Sequence, residues 1–102
     1  MPSIEQLQKL LAADPRDPFV LYGLAQEHAK QGDYARAVEF YDRCLAADPS
    51  YCYAYFHKAK ALQAAGRDAD AVTTLKAGAA AARRAGDQHG LAEISGYLDE
   101  LT

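Results

Sequence analysis

Apolar residues recur along the chain at helical spacing, and no segment alternates as a strand would. Leu7, Leu10 and Leu11 form a first stripe, preceded by Ser3 and Gln6 at capping-box spacing. The pattern predicts a helix over about residues 3–13, stopped by Asp14-Pro15. Asp17 caps a second helix, and Pro18 suits its first turn, where a missing N–H costs nothing. That helix runs to Gln31, and Gly32 ends it in the left-handed region. Asp33 caps a third, lasting to about Ala47; Pro49-Ser50 opens a fourth, which Gly66 closes. Asp68 opens a fifth that continues to about Arg84. Gly86-Asp87 separates a sixth, in which Leu91, Ile94, Leu98 and Leu101 share one face. The fold class expected is all-α, with about six helices.

The helices are not independent of one another in sequence. Leu11-Ala12-Ala13-Asp14-Pro15 returns as Leu45-Ala46-Ala47-Asp48-Pro49, an offset of 34 residues. The same offset relates Ala25 to Ala59, Gly32 to Gly66, Ala35 to Ala69, Ala37 to Ala71 and Val38 to Val72. A fixed period of this length marks a repeat architecture. The alanines have a steric meaning: where two helices of a pair cross closely, only small side chains fit. Ala25 is expected against Ala37 in one pair, and Ala59 against Ala71 in the other.

Composition narrows the function. The net charge is -3, so the excess of Lys and Arg that a phosphate-binding surface needs is missing, and nucleic acid is not an expected partner. The N-terminus has no basic segment followed by an apolar run, and the most apolar stretch, Ala77 to Ala82, falls well short of the roughly 20 residues that span a bilayer. The expectation is a cytoplasmic protein without membrane association. Cys44 and Cys52 do not form a disulfide framework and are expected to be small buried side chains.

The 34-residue helix–turn–helix period resembles the tetratricopeptide repeat (TPR) family. The better match is Pro18 to Tyr51, with Leu21, Leu24, Ala25, Gly32, Tyr34, Ala37, Tyr41, Leu45 and Pro49 where the family favours similar residues; His28 stands where an aromatic is usual. The second unit, Cys52 to Ala85, keeps Tyr55, Ala59, Leu62, Gly66, Ala71 and Leu75. It departs at Lys58, a usually apolar position, and at Arg83, which replaces the closing proline and lets the fifth helix run long. The resemblance implies one domain over 1–102, a right-handed α-solenoid of antiparallel helix pairs. Its parts are a half repeat (3–15), two repeats (18–51 and 52–85) and a terminal capping helix (87–101). Asp87, Gln88, Glu93, Asp99 and Glu100 fit the polar face of such a cap.

In this family the first helix of each unit lines a concave groove that holds a peptide. Carried over, that geometry implies a groove of Phe19, Tyr22, Gln26 and Lys30 from the first unit and Tyr53, Phe56, His57, Lys60 and Gln63 from the second. Spacing agrees: Phe19, Tyr22 and Gln26 fall on one helical stripe, as do Tyr53, Phe56, Lys60 and Gln63. The stripes beside them are assigned to the core: Leu21, Leu24, Ala25 and His28, then Cys52, Tyr55, Ala59 and Leu62. Two alternatives stand. Phe19 and Phe56 could be core rings, and Lys58 could signal a rotation of the fourth helix that shifts the set by one residue. All aromatic residues but Tyr97 lie between Phe19 and Phe56, a shelf suited to a peptide with apolar anchors and an acidic group near Lys60. The Lys/Asn clamp that some family members close on a C-terminal carboxylate is missing, since Tyr22, Gln26 and His57 occupy its positions.

No other chemistry emerges. His28, His57 and His89 stand in different helices, none at metal-ligand spacing with another His or Cys on its own helix. There is no nucleophile elbow and no Gly-rich phosphate loop. Catalytic residues, a metal and a cofactor are not expected. The function implied is binding of a peptide or partner protein. The alternative is self-association as a homodimer, through the face of the first helix left without a preceding helix.

Overall fold

The computed structural model describes residues 2–102, which form six α-helices joined by short turns: α1 (Ile4–Ala13), α2 (Pro18–Lys30), α3 (Tyr34–Ala47), α4 (Cys52–Ala64), α5 (Asp68–Ala85) and α6 (Gln88–Leu101). The capping chemistry follows the sequence. Ser3 Oγ accepts from the Gln6 N–H while Gln6 Oε1 accepts from the Ser3 N–H, closing the capping box. Asp17 Oδ1 accepts from the Phe19 and Val20 N–H groups, and Asp33 Oδ1 from that of Arg36. Gly32, Gly66 and Gly86 follow the ends of α2, α4 and α5 with φ of 78°, 79° and 70°, a region that L side chains enter only with strain. One start differs from expectation. Pro49-Ser50 does not begin α4, because Asp48 accepts from both the backbone and the hydroxyl of Ser50 and holds the pair in a turn; the helix begins at Cys52. Without a proline near its end, α5 reaches 18 residues against 14 for α3.

Consecutive helices pack into two layers. The backbone of α4 approaches those of α2 and α6 directly, whereas no such approach joins α1, α3 and α5 among the described residues. One layer closes while the other fans open, so the α2–α4–α6 side is concave. The thinnest dimension, 20 Å, is that of two helix layers.

The core is continuous along the stack. Leu7, Val20 and Leu24 bury the contact of α1 with α2. Leu21, Ala25, Ala37, Tyr41 and Cys44 fill the α2–α3 pair, joined by Ala54 and Ala61 from α4. Ala59, Leu62, Ala71, Leu75 and Ile94 unite α4, α5 and α6. All four crossing alanines, Ala25, Ala37, Ala59 and Ala71, have no exposed surface. Gly78 marks a still closer approach: a Cβ there would stand 2.7 Å from Cβ of Tyr55.

Lys58 does not signal a rotated helix. It reaches into the gap left where α3 and α5 splay, a cleft of about 230 Å³ that also holds Val38, Asp42, Asp70 and Thr73. There its ammonium meets Asp42 at 2.6 Å. A lysine fits a position near the core because the outer layer opens and offers it a carboxylate and water.

Candidate functional site

The concave face is divided by α4 into two hollows. The first, between α2 and α4, is about 360 Å³; Gln26, Lys30, His57 and Lys60 stand around it, and small side chains (Ala29, Ala61, Ala64) keep it open down to Tyr34 and Tyr41 of α3. The second, between α4 and α6, is about 730 Å³. Phe56, Lys60, Gln63 and Ala64 line it from α4, and Ala92, Glu93, Gly96, Tyr97 and Glu100 from α6.

His57 lies at the centre of the face. Its ring centroid is 5.8 Å from that of Tyr22, 5.4 Å from Phe56 and 6.5 Å from Tyr53. Burial, then the nearby Lys60 charge, lower its pKa below the usual value of 6.5, so at neutral pH the imidazole is uncharged and offers one donor and one acceptor. Tyr22 is tied into the domain as much as it faces the groove. Its hydroxyl accepts from Nε2 of Gln26 at 2.9 Å, and its ring packs 5.0 Å from Tyr51 and 6.0 Å from Tyr41. Burial is the main reason that its phenol is pushed up to about 12. Phe56 packs on the core and meets the tilted ring of Tyr97 at 5.3 Å between centroids, and the Tyr97 hydroxyl donates to Oε1 of Gln63, so α4 and α6 are joined beside the second hollow. The Lys60 ammonium stands 5.0 Å from the centroid of the Phe56 ring, within cation–π range. Lys30 is paired with Glu27 at 3.1 Å.

Eight of the nine residues expected in the groove lie on one surface: six line a hollow, and Tyr22 and Tyr53 flank His57. Phe19 stands apart. It is 72% exposed in the first turn of α2 and joins none of the ring contacts around His57. Phe56 is both a core ring and a groove wall. The α6 wall was not anticipated, and the signal for it existed: Ala92, Glu93, Gly96, Tyr97 and Glu100 recur at helical spacing opposite the Leu91, Ile94, Leu98 stripe. Gly96 is the informative member of that wall. It sits inside a helix without positive φ, and a Cβ added there would meet nothing within 4 Å.

Reactive groups are sparse. Cys44 and Cys52 are free and buried, and burial above all pushes both thiols up to about 11, far from thiolate chemistry. Among the described residues no group of three His, Cys, Asp or Glu side chains converges as a metal site, and no helix is long and apolar enough to cross a membrane.

Two layers of paired helices with an open concave side define an α-helical repeat domain of the solenoid type. Two tetratricopeptide repeat models match the chain, over residues 28–93 and 3–51. A TPR repeat-containing protein of Pseudomonas aeruginosa is 35% identical over 98 residues, spanning 96% of this chain and 93% of that one. The crystal structure of a tetratricopeptide repeat domain protein from Salinibacter ruber is similar at 34% identity and a TM-score of 0.74, covering 83% of this chain and 94% of that one. A Bordetella parapertussis protein solved in solution reaches a TM-score of 0.82 at 28% identity, over 99% of this chain and 88% of that one. The Yersinia enterocolitica type III secretion translocator chaperone SycD shares the fold, with a TM-score of 0.83 at 21% identity over 96% of this chain and 68% of that one. The chain belongs to the tetratricopeptide repeat family. Its architecture is therefore that of a protein–protein interaction module, a class generally without catalysis.

Proposed function

We propose that the domain binds a segment of a partner protein on the concave face, with the α4 stripe at its centre and α6 as the second wall. Gly96 carries the reading. A glycine inside a helix costs about 0.5–1 kcal/mol relative to alanine. Here neither φ nor a close neighbour requires one, and the space it leaves opens onto the larger hollow. On this reading α6 closes the stack and also serves as a recognition helix. The repeats are 18–51 and 52–85, with 3–15 as the half repeat and 87–101 as the closing helix. The domain works in the cytoplasm, where buried free thiols such as Cys44 and Cys52 persist; cell fractionation tests that location.

The test fills the hollow without touching the fold. Tyr22 and Phe56 are poor choices, since both also hold helices together. Gly96→Trp projects into open space, and Tyr53→Ala removes a ring that is 47% exposed. A random dodecapeptide library is panned against the immobilised chain, and recovered peptides are measured against both variants, with a thermal melt as fold control. Peptides lost on Gly96→Trp support the groove; peptides that bind both folded variants undiminished place recognition elsewhere.

A second reading, self-association, rests on Leu10. This side chain is 54% exposed on the outer face of α1, with Gln6, Lys9 and Ala13 around it. If that face pairs two copies, light scattering over a tenfold concentration range finds a dimer that Leu10→Lys converts to monomer. A monomer throughout removes this reading.

A further inference from the structure

The two hollows differ in charge. The α4–α6 hollow carries Glu93 and Glu100 beside the facing rings of Phe56 and Tyr97. Glu93 has one oxygen 2.8 Å from Nε2 of the exposed His89, and Glu100 has no ion pair among the described residues. The α2–α4 hollow has no carboxylate in its lining and presents Lys30 and Lys60. Lys30 is already matched by Glu27. Lys60 borders both hollows, and its ammonium now lies over the Phe56 ring, on the acidic side. Two carboxylates and two aromatic rings make a site for a cation, and the chain's own lysine is the cation drawn toward it.

We infer that the partner segment, taken to lie in the groove as proposed above, is an extended peptide carrying an arginine or lysine for the α4–α6 hollow and an aspartate or glutamate for the α2–α4 hollow. The peptide's cation replaces the Lys60 ammonium over Phe56. Lys60, on a long flexible stem, turns across α4 and meets the peptide's carboxylate. One lysine thus couples the two recognition events. Neighbouring packed helices lie roughly 8–10 Å apart, and an extended chain advances about 3.3 Å per residue. The basic and acidic residues should therefore be about three positions apart.

The experiment uses peptides recovered from the dodecapeptide library on the full chain, resynthesised with a fluorophore and titrated by anisotropy. The expected recovered set is lost on Gly96→Trp and shares a basic residue about three positions from an acidic one. Glu93→Gln with Glu100→Gln should weaken these peptides about threefold to tenfold, the scale of two exposed ion pairs, since the Phe56 ring remains. In a double-mutant cycle on the peptide, replacing its basic and its acidic residue should be non-additive on the wild type and additive on Lys60→Met. Peptides that need the open groove but share no charge pattern, or that ignore the glutamine variants, overturn this inference and leave the groove standing. A library that yields no peptide, or only peptides indifferent to Gly96→Trp, overturns the groove and this inference together.

Discussion

Gly78 and Gly96 are both helix-interior glycines, and they should answer the same substitution with different shifts. Replacing either by alanine improves helix propensity by about 1 kcal/mol. At Gly96 nothing opposes that gain, because the new methyl meets no atom within 4 Å. At Gly78 the methyl would stand 2.7 Å from Cβ and 2.9 Å from Cγ of Tyr55, and 3.2 Å from Cδ1 of Ile94. Tyr55 cannot rotate its own Cβ away, so α4 and α5 must separate. Overpacking of this kind costs about 1–3 kcal/mol. Gly96→Ala should thus gain about 1 kcal/mol, while Gly78→Ala ends between neutral and about 2 kcal/mol less stable. The difference between the two variants is the steric cost alone. In a domain of this size 1 kcal/mol moves the melting temperature by roughly 4–8 °C. Thermal and urea melts followed by circular dichroism at 222 nm measure it. Equal stabilisation by both substitutions would falsify the close α4–α5 approach, and with it the reason for small residues along that pair.

Two further outcomes follow from the same packing and from the groove. Ala37→Leu and Ala71→Leu each insert a large side chain where alanine has no exposed surface, and each should lower stability by about 1–3 kcal/mol in the same melts; two unchanged melts would contradict the helix crossings. His57 is held below its ordinary pKa of 6.5, chiefly by burial, so the unfolded chain takes up a proton that the folded chain resists. Melting temperature should therefore decline as pH drops below about 6.5, and a His57→Gln variant should show a shallower decline; identical slopes would mean that His57 is not the group responsible.

Much of the fold was legible because its determinants are local. Ser3 with Gln6, Asp17 with Pro18, and Asp33 form caps within a few residues of themselves, and the alanine and glycine pairs advertise the period directly. The cores of α2 and α4 could be read because Leu21, Leu24, Ala25 and His28 in one, and Ala59 and Leu62 in the other, share faces that bury. Lys58 was harder. Sequence shows only that a charge sits in an apolar column; the solution lies in the splay of α3 from α5, which brings Asp42 within reach.

The groove was half legible, for a related reason. Helical spacing tells which residues share a face, but not what that face looks at. In α4, both faces beside the core stripe are used, one for α3 through Ala54 and Ala61, the other for the concave side through Phe56, His57 and Lys60. In α6 the Leu91, Ile94 and Leu98 stripe marks the core, and in sequence alone the opposite stripe looks like the polar face of a capping helix. The layer arrangement changes that meaning: α6 lies beside α4 rather than behind it, so its outward stripe borders the concavity. Phe19 shows the converse. It shares a helical stripe with Tyr22 and Gln26, yet α1 offers no inner-layer helix on its side, and the ring stays in solvent. A groove in this architecture needs two inner helices, and the positions that form it are those with an inner neighbour. Lys60 qualifies twice, with α2 on one side and α6 on the other. On the proposed reading, that position lets a single side chain choose between a carboxylate-bearing and a carboxylate-free hollow, so selectivity would depend on how the helices are stacked as much as on which residues they carry.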